Sequence, residues 1–214
     1  MLATAALALR VTAPVSLPVR PGTAGVGFDI SQPALATLRS DRFVLVYSDH
    51  RRGQAMDDVS GAVLRVSAGA VVPSRVDLPL VTGPHGQTTP DIACSPGRCL
   101  LVWSEGGKRI LAQRFDDQLT AIDPPFVLRT CSVDCFSPKV AREASAWLVA
   151  YSDAPMNGSS RVFVRRIADD GTLPGVENDL GPSDIFPSMS VAFDGTNSWV
   201  SWPFFTAGEL WRAV

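Results

Sequence analysis

One motif recurs four times along this chain, and the recurrence limits the possible folds more than any other feature. Each copy runs through a short apolar stretch ending in alanine, crosses a polar turn, and continues as an apolar stretch that closes on an aromatic residue. The first reads Pro33-Ala34-Leu35-Ala36 to Phe43-Val44-Leu45-Val46-Tyr47-Ser48 and the second Pro90-Asp91-Ile92-Ala93 to Leu100-Leu101-Val102-Trp103-Ser104. The third is Pro138-Lys139-Val140-Ala141 to Leu148-Val149-Ala150-Tyr151-Ser152, and the fourth Ser190-Val191-Ala192 to Trp199-Val200-Ser201-Trp202. The closing aromatics Tyr47, Trp103, Tyr151 and Trp202 return about every fifty residues, a period typical of radial arrays of short strands. The fold class expected is therefore all-β, a β-propeller-type array of four-stranded antiparallel blades, and not a helical solenoid.

Within the second copy, residues 90–94 read as a short strand, 95–98 as its turn, and 99–103 as a continuous apolar strand buried on both faces. Residues 109–115 alternate in the manner of a half-exposed strand, and 124–129 form a weaker outer one. The third copy repeats this with 139–142, 146–151, 161–167 and about 177–181. Burial that falls outward suits a blade whose inner strands are covered by its neighbours. The expected organisation is a single propeller domain or propeller fragment over 1–214. It comprises a partial blade at 1–30, blades at about 31–84, 85–133 and 134–184, and a partial blade at 185–214. The two partial blades could complete one another and close a four-bladed ring. Leu7–Val11 and Leu210–Val214 both read as third strands, however, and would compete for one place. That favours a larger ring with further blades of the same polypeptide.

Charged residues make up only 19% of the chain and the net charge is -2, so the basic stripe needed against a phosphate backbone is missing and nucleic acid is not an expected partner. The apolar runs are strand-length, too short for a transmembrane helix. The four cysteines fall into two local pairs. Cys94 and Cys99 bracket a Pro-Gly turn between two predicted antiparallel strands, and Cys131 and Cys135 lie in the connector before the third copy. This spacing suits two disulfides better than free thiols or a metal site. Disulfides imply an oxidising compartment, hence an extracellular, periplasmic or cell-surface location. The N-terminal MLATAALALRVTA lacks a basic leading region and aligns with Gly61–Val66, as the tail of a preceding repeat would. His50 and His85 have no partners at metal-ligand spacing, and no metal or cofactor is expected.

The stretch Val191-Ala192-Phe193-Asp194-Gly195-Thr196-Asn197-Ser198-Trp199-Val200-Ser201-Trp202, and Phe43–Asp49 with Arg51 and Arg52 close behind, resembles the blades of bacterial secreted β-propeller-like repeat proteins. That resemblance implies an exported or surface-anchored propeller, commonly with no assigned activity. It rests on structural positions along nearly the whole chain. The second copy departs from it by placing cysteines at the usual turn, the fourth by following its Trp with Pro203-Phe204-Phe205.

Propeller ligands usually bind where the second-to-third-strand loops meet the blade connectors, here 48–60, 104–108, 152–160 and 203–208. Ser48-Asp49, Ser104-Glu105 and Ser152-Asp153 repeat a carboxylate at one place in three copies. A ring of acids could bind a cation or basic group or work as acid and base, yet recurrence favours acids that hydrogen-bond their own turns. Arg51, in the longest and most charged loop, is a candidate anion clamp. Trp103, Trp199 and Trp202 are expected in the core. Phosphate loops, GxSxG and HExxH are absent. These readings favour an exported, non-catalytic segment that binds an unknown protein or glycan through Asp49, Arg51, Glu105 and Asp153. The alternatives are a propeller glycosidase, sialidase- or arabinanase-like, using two of those acids, and a structural repeat segment of a large surface protein.

Overall fold

The computed structural model describes residues 30–51, 57–154, 160–183, 188–206 and 209–213, with 204–206 and 209–213 given as backbone alone. The partial blade expected at 1–30 lies outside them. All regular structure among the described residues is antiparallel β. β1 (Ile30–Arg39), β2 (Arg42–Asp49), β3 (Asp58–Ser67) and β4 (Ala70–Val81) form one sheet in chain order. β5 (Gln87–Ser95), β6 (Arg98–Glu105), β7 (Arg109–Phe115) and β8 (Phe126–Thr130) form the second. β9 (Asp134–Arg142), β10 (Ala146–Ala154), β11 (Ser160–Ala168) and β12 (Asn178–Ser183) form the third. β13 (Ser190–Phe193), β14 (Ser198–Thr206) and β15 (Glu209–Ala213) form a three-stranded fourth. β1 packs on β5, β5 on β9 and β9 on β13, so the first strand of each sheet is its innermost and the sheets radiate outward. This is the propeller arrangement that the repeat length predicts.

The apolar second strands explain the stacking, because the period of two in a strand sends alternate side chains to opposite faces. On β6, Leu101 and Trp103 enter the cluster shared with Val44, Val46, Val59 and Val63 of the first sheet. Leu100 and Val102 enter the cluster shared with Trp147, Val149 and Tyr151 of the third. On β10, Leu148 and Ala150 face the other way and join Val200 and Trp202 of the fourth sheet. Each closing aromatic from the second sheet onward thus packs back on the preceding sheet. Trp147 is fully buried as well. Trp199, expected in the core, is 49% exposed. It shares a strand parity with Leu100 and Leu148, which the next sheet covers, and among the described residues no sheet follows the fourth. Its indole N–H donates to Asp194 at 2.8 Å. The side chain of Trp211 lies outside the described residues.

β3 runs through the crowded middle of the first sheet, and Gly61 there has no room for a side chain. A Cβ would come within 2.8 Å of Leu80 Cδ1, 3.1 Å of the Leu45 carbonyl oxygen and 3.2 Å of Leu119 Cδ1. The leucine tips can move, whereas the carbonyl belongs to the strand pairing. Gly61→Ala is expected to cost about 1–3 kcal/mol, read as a lower urea midpoint at unchanged slope.

Both cysteine pairs are bridged. Cys94–Cys99 joins directly opposed residues of the β5–β6 hairpin, with Cα atoms 4.1 Å apart, and Cys131–Cys135 closes the connector into β9. Two bridges suit an oxidising environment.

Candidate functional site

The inner strands carry an irregularity that repeats with the motif. Gln32, Thr89 and Ser137 each precede a proline and each has a left-handed backbone, with φ of 52°, 51° and 49°. The register of pairing slips at the same places, between Ser31 and Ala34, between Thr88 and Asp91, and opposite Ala150–Ser152. Proline offers no N–H to a ladder, so a bulge is where an inner strand can accommodate it. Pairing resumes beyond the bulge, which is why β5 starts at Gln87 and not at Pro90. Non-glycine residues held at positive φ store strain, and such strain gathers at functional sites.

The serine that closes each of the first three copies supports these bulges. Ser48 donates to Gln32 Oε1 at 3.0 Å and Ser152 to the Phe136 carbonyl at 3.3 Å, while Ser104 reaches the Cys135 carbonyl in the next sheet at 3.0 Å. Side chains also tie neighbouring inner strands together. Gln32 Oε1 accepts the Thr89 amide at 2.7 Å, and Asp91 Oδ2 accepts the Val140 amide at 2.8 Å.

Together the bulges shape a cavity of about 420 Å³ where the four inner strands converge, lined by Gln32, Thr89, Ser137, Lys139 and Ser188 beside Pro33, Pro90 and Met189. That size lies within the roughly 300–1,000 Å³ of small-molecule sites. Asp91 adjoins this wall, next in sequence to Pro90. Burial pushes its carboxyl pKa up, and the Lys139 charge and the Val140 and Ile92 amides offset that only in part. Thr89 Oγ1 is buried without a hydrogen-bond partner.

The acids chosen from the sequence sit one strand further out, at the same level. Asp49 pairs across to Ile30, Glu105 to Gln87 and Asp153 to Cys135. None of them is among the residues lining the cavity. Arg51 grips Asp49 through Nε to Oδ1 and Nη2 to Oδ2, both at 2.8 Å, and also reaches Asp77 on β4 at 2.7 Å. Ser60 donates to Asp49 Oδ2 at 2.8 Å. Burial alone would raise the Asp49 pKa, but Arg51 and Ser60 outweigh it and hold the carboxyl at about 2. Tyr47 completes this network by donating to Asp77 at 3.1 Å; burial, then Asp77, pushes the phenol up to about 12.

The third sheet builds the same network from other parts. Arg129, on β8 of the second sheet, donates to Asp153 at 3.1 and 2.5 Å and pairs with Glu177, which accepts from Tyr151. Glu105 pairs with Arg109, and Gln87 Nε2 lies 3.4 Å from it. His50 pairs with Asp57, and among the described residues no His, Cys, Asp and Glu cluster could hold a metal ion. Arg52 and the rest of that loop to residue 56 lie outside the described residues. The cavity residues Gln32, Thr89, Ser137 and Lys139, and Asp91 behind Pro90, escaped the sequence reading, although the X-Pro step that opens the first three copies marks them.

Neither a protein family's sequence profile nor a curated protein sequence matches this chain. Solved structures share its architecture. An endo-arabinase from Bacteroides thetaiotaomicron superposes with a TM-score of 0.58 at 16% identity, over 89% of this chain and 77% of that one. A native arabinanase from Bacillus subtilis gives 0.54 at 12%, over 85% and 72%. A subtype N11 neuraminidase-like protein of A/flat-faced bat/Peru/033/2010 (H18N11) gives 0.50 at 9%, over 81% and 45%. The chain has the β-propeller fold of these structures. The expectation of a non-catalytic interaction segment is corrected here: arabinanases and an arabinofuranosidase recur among the structures that the chain is similar to, which is more in keeping with the glycosidase alternative.

Proposed function

We propose that the protein is a propeller glycosidase that holds a sugar in the cavity between its inner strands, with Asp91 donating the proton to the leaving oxygen. The observation that carries this reading is a cavity of sugar size among the inner strands, with Asp91 next in the chain to the lining Pro90 and its carboxyl fixed by the Val140 amide; burial raises the pKa of that carboxyl. A general acid must keep its proton near neutral pH, and burial is the usual means of achieving that. Glycoside hydrolysis requires a second carboxylate. Of Asp49, Glu105 and Asp153, Glu105 is the one in the same sheet as Asp91, so it takes that role. The blades are of the bacterial secreted repeat type and belong to one propeller domain that further blades of the same polypeptide can extend. With two disulfides and a polymeric substrate, the enzyme works at the cell surface, in the periplasm or outside the cell. The test is release of new reducing ends from a panel of plant, bacterial and animal glycans. Hydrolysis of at least one supports the reading, and an inert panel across pH 4–8 removes it.

A further inference from the structure

The position two residues before the shared alanine differs in charge among the four inner strands. It holds Ala34, Asp91, Lys139 and Ser190 in turn. A position that serves only the scaffold would repeat with the scaffold, as the supporting serine does in three copies. Here a quasi-symmetric ring has one anion-forming and one cationic side chain on adjacent blades. Lys139 lines the cavity and makes no ion pair within 4 Å with any described carboxylate. Around it stand hydroxyls at equivalent positions of three copies, Thr89, Ser137 and Ser188. Thr89 Oγ1 has no partner. Gln32 and Asp91, by contrast, are already engaged with backbone amides of the next blade. A lysine on the cavity wall that makes no close ion pair, and whose neighbouring acid Asp91 is protonated under the glycosidase reading, matches an anionic ligand beside hydroxyl donors, since desolvating an ammonium against a neutral one costs free energy without return.

We propose that the sugar bound in this cavity is an acidic one, its carboxylate held by Lys139 with help from the Thr89, Ser137 and Ser188 hydroxyls. The inference rests on the glycosidase reading for its site and adds the class of substrate. It also divides the labour around the ring: Lys139 orients the sugar by its charge, and Asp91 keeps its proton for the leaving group. Uronic and sialic acids both present such a carboxylate.

Calorimetric titration of the whole chain with trigalacturonate, sialyllactose and arabinotriose tests it. One of the two acidic ligands should bind at least ~10-fold tighter than arabinotriose at low salt, and the one that does identifies the source of the carboxylate. The preference should weaken as ionic strength rises. Lys139→Gln should abolish it, and Lys139→Arg should retain part of it. Equal affinity for all three ligands, or a preference that survives both salt and Lys139→Gln, overturns the inference. Should Lys139→Gln fail to fold, the salt dependence of the wild-type preference decides alone. Hydrolysis of neutral glycans without any acidic preference would end this inference and leave the glycosidase reading standing. Acidic preference without turnover of any glycan would end the glycosidase reading and leave Lys139 its role.

Discussion

Asp91→Asn is expected to lower turnover of the protein's glycan substrate by about 10²–10⁴-fold, the usual contribution of a positioned acid. Asparagine preserves the shape of the side chain and still accepts the Val140 amide through its oxygen, so the bond between β5 and β9 persists. What it loses is the transferable proton. The fall should therefore appear in kcat with KM little changed, because the acid acts mainly as the leaving group departs. Since burial raises the Asp91 pKa, the wild-type rate should fall only as pH rises through that raised value, and Asp91→Asn should lack this alkaline limb. Glu105→Gln should cost a comparable factor if it supplies the second carboxylate. Steady-state rates of both variants between pH 4 and pH 9 decide the matter, and turnover within twofold of wild type in Asp91→Asn would remove it from the chemistry.

The second large effect concerns stability. Arg51→Met should destabilise the fold by about 3–5 kcal/mol, since it strips the cation from a buried network and leaves carboxylates without it. The Arg51 side chain is only 6% exposed, that of Asp49 1% and that of Asp77 11%, so water cannot replace what is lost. For a chain of this length, that corresponds to a melting temperature lower by roughly 6–20 °C. The pH dependence carries a second signature. In the folded chain Asp49 titrates at about 2, below its ordinary 3.8. A depressed carboxyl pKa contributes stability that is complete above pH ~4 and disappears as pH falls toward 2, on the order of 2 kcal/mol for a shift of this size. Wild type should lose that increment between pH 4 and 2, whereas Arg51→Met should lack this acid-labile part. Urea unfolding at pH 7, 4 and 2.5 measures both, and a melting temperature within 2 °C of wild type would contradict the network's role.

The architecture was legible because its causes are local. Leu100-Leu101-Val102-Trp103 is apolar at every position, which only a strand covered on both faces tolerates, and its recurrence near fifty residues makes each copy the cover for the next. The Cys94–Cys99 bridge was legible for the same reason, being a contact across one tight turn. Trp199 was misread because its strand repeats the pattern while the sheet that would cover its outer face is not among the described residues. At the loop acids, the sequence showed that Asp49, Glu105 and Asp153 recur at one level. It did not show that Asp49 is held by an arginine of its own turn and Asp153 by one from the preceding sheet.

The sequence by itself determined the repeat, the strand alternation and hence the radial stack, since apolar periodicity and turn chemistry act over a few residues. Only the tertiary structure decided which side chains face the axis. Gln32, Thr89, Ser137 and Lys139 come from strands about fifty residues apart, and the bulges before three prolines bring them to one cavity. That convergence depends on how whole sheets pack around a common centre, an interaction between distant segments that short-range pattern does not encode.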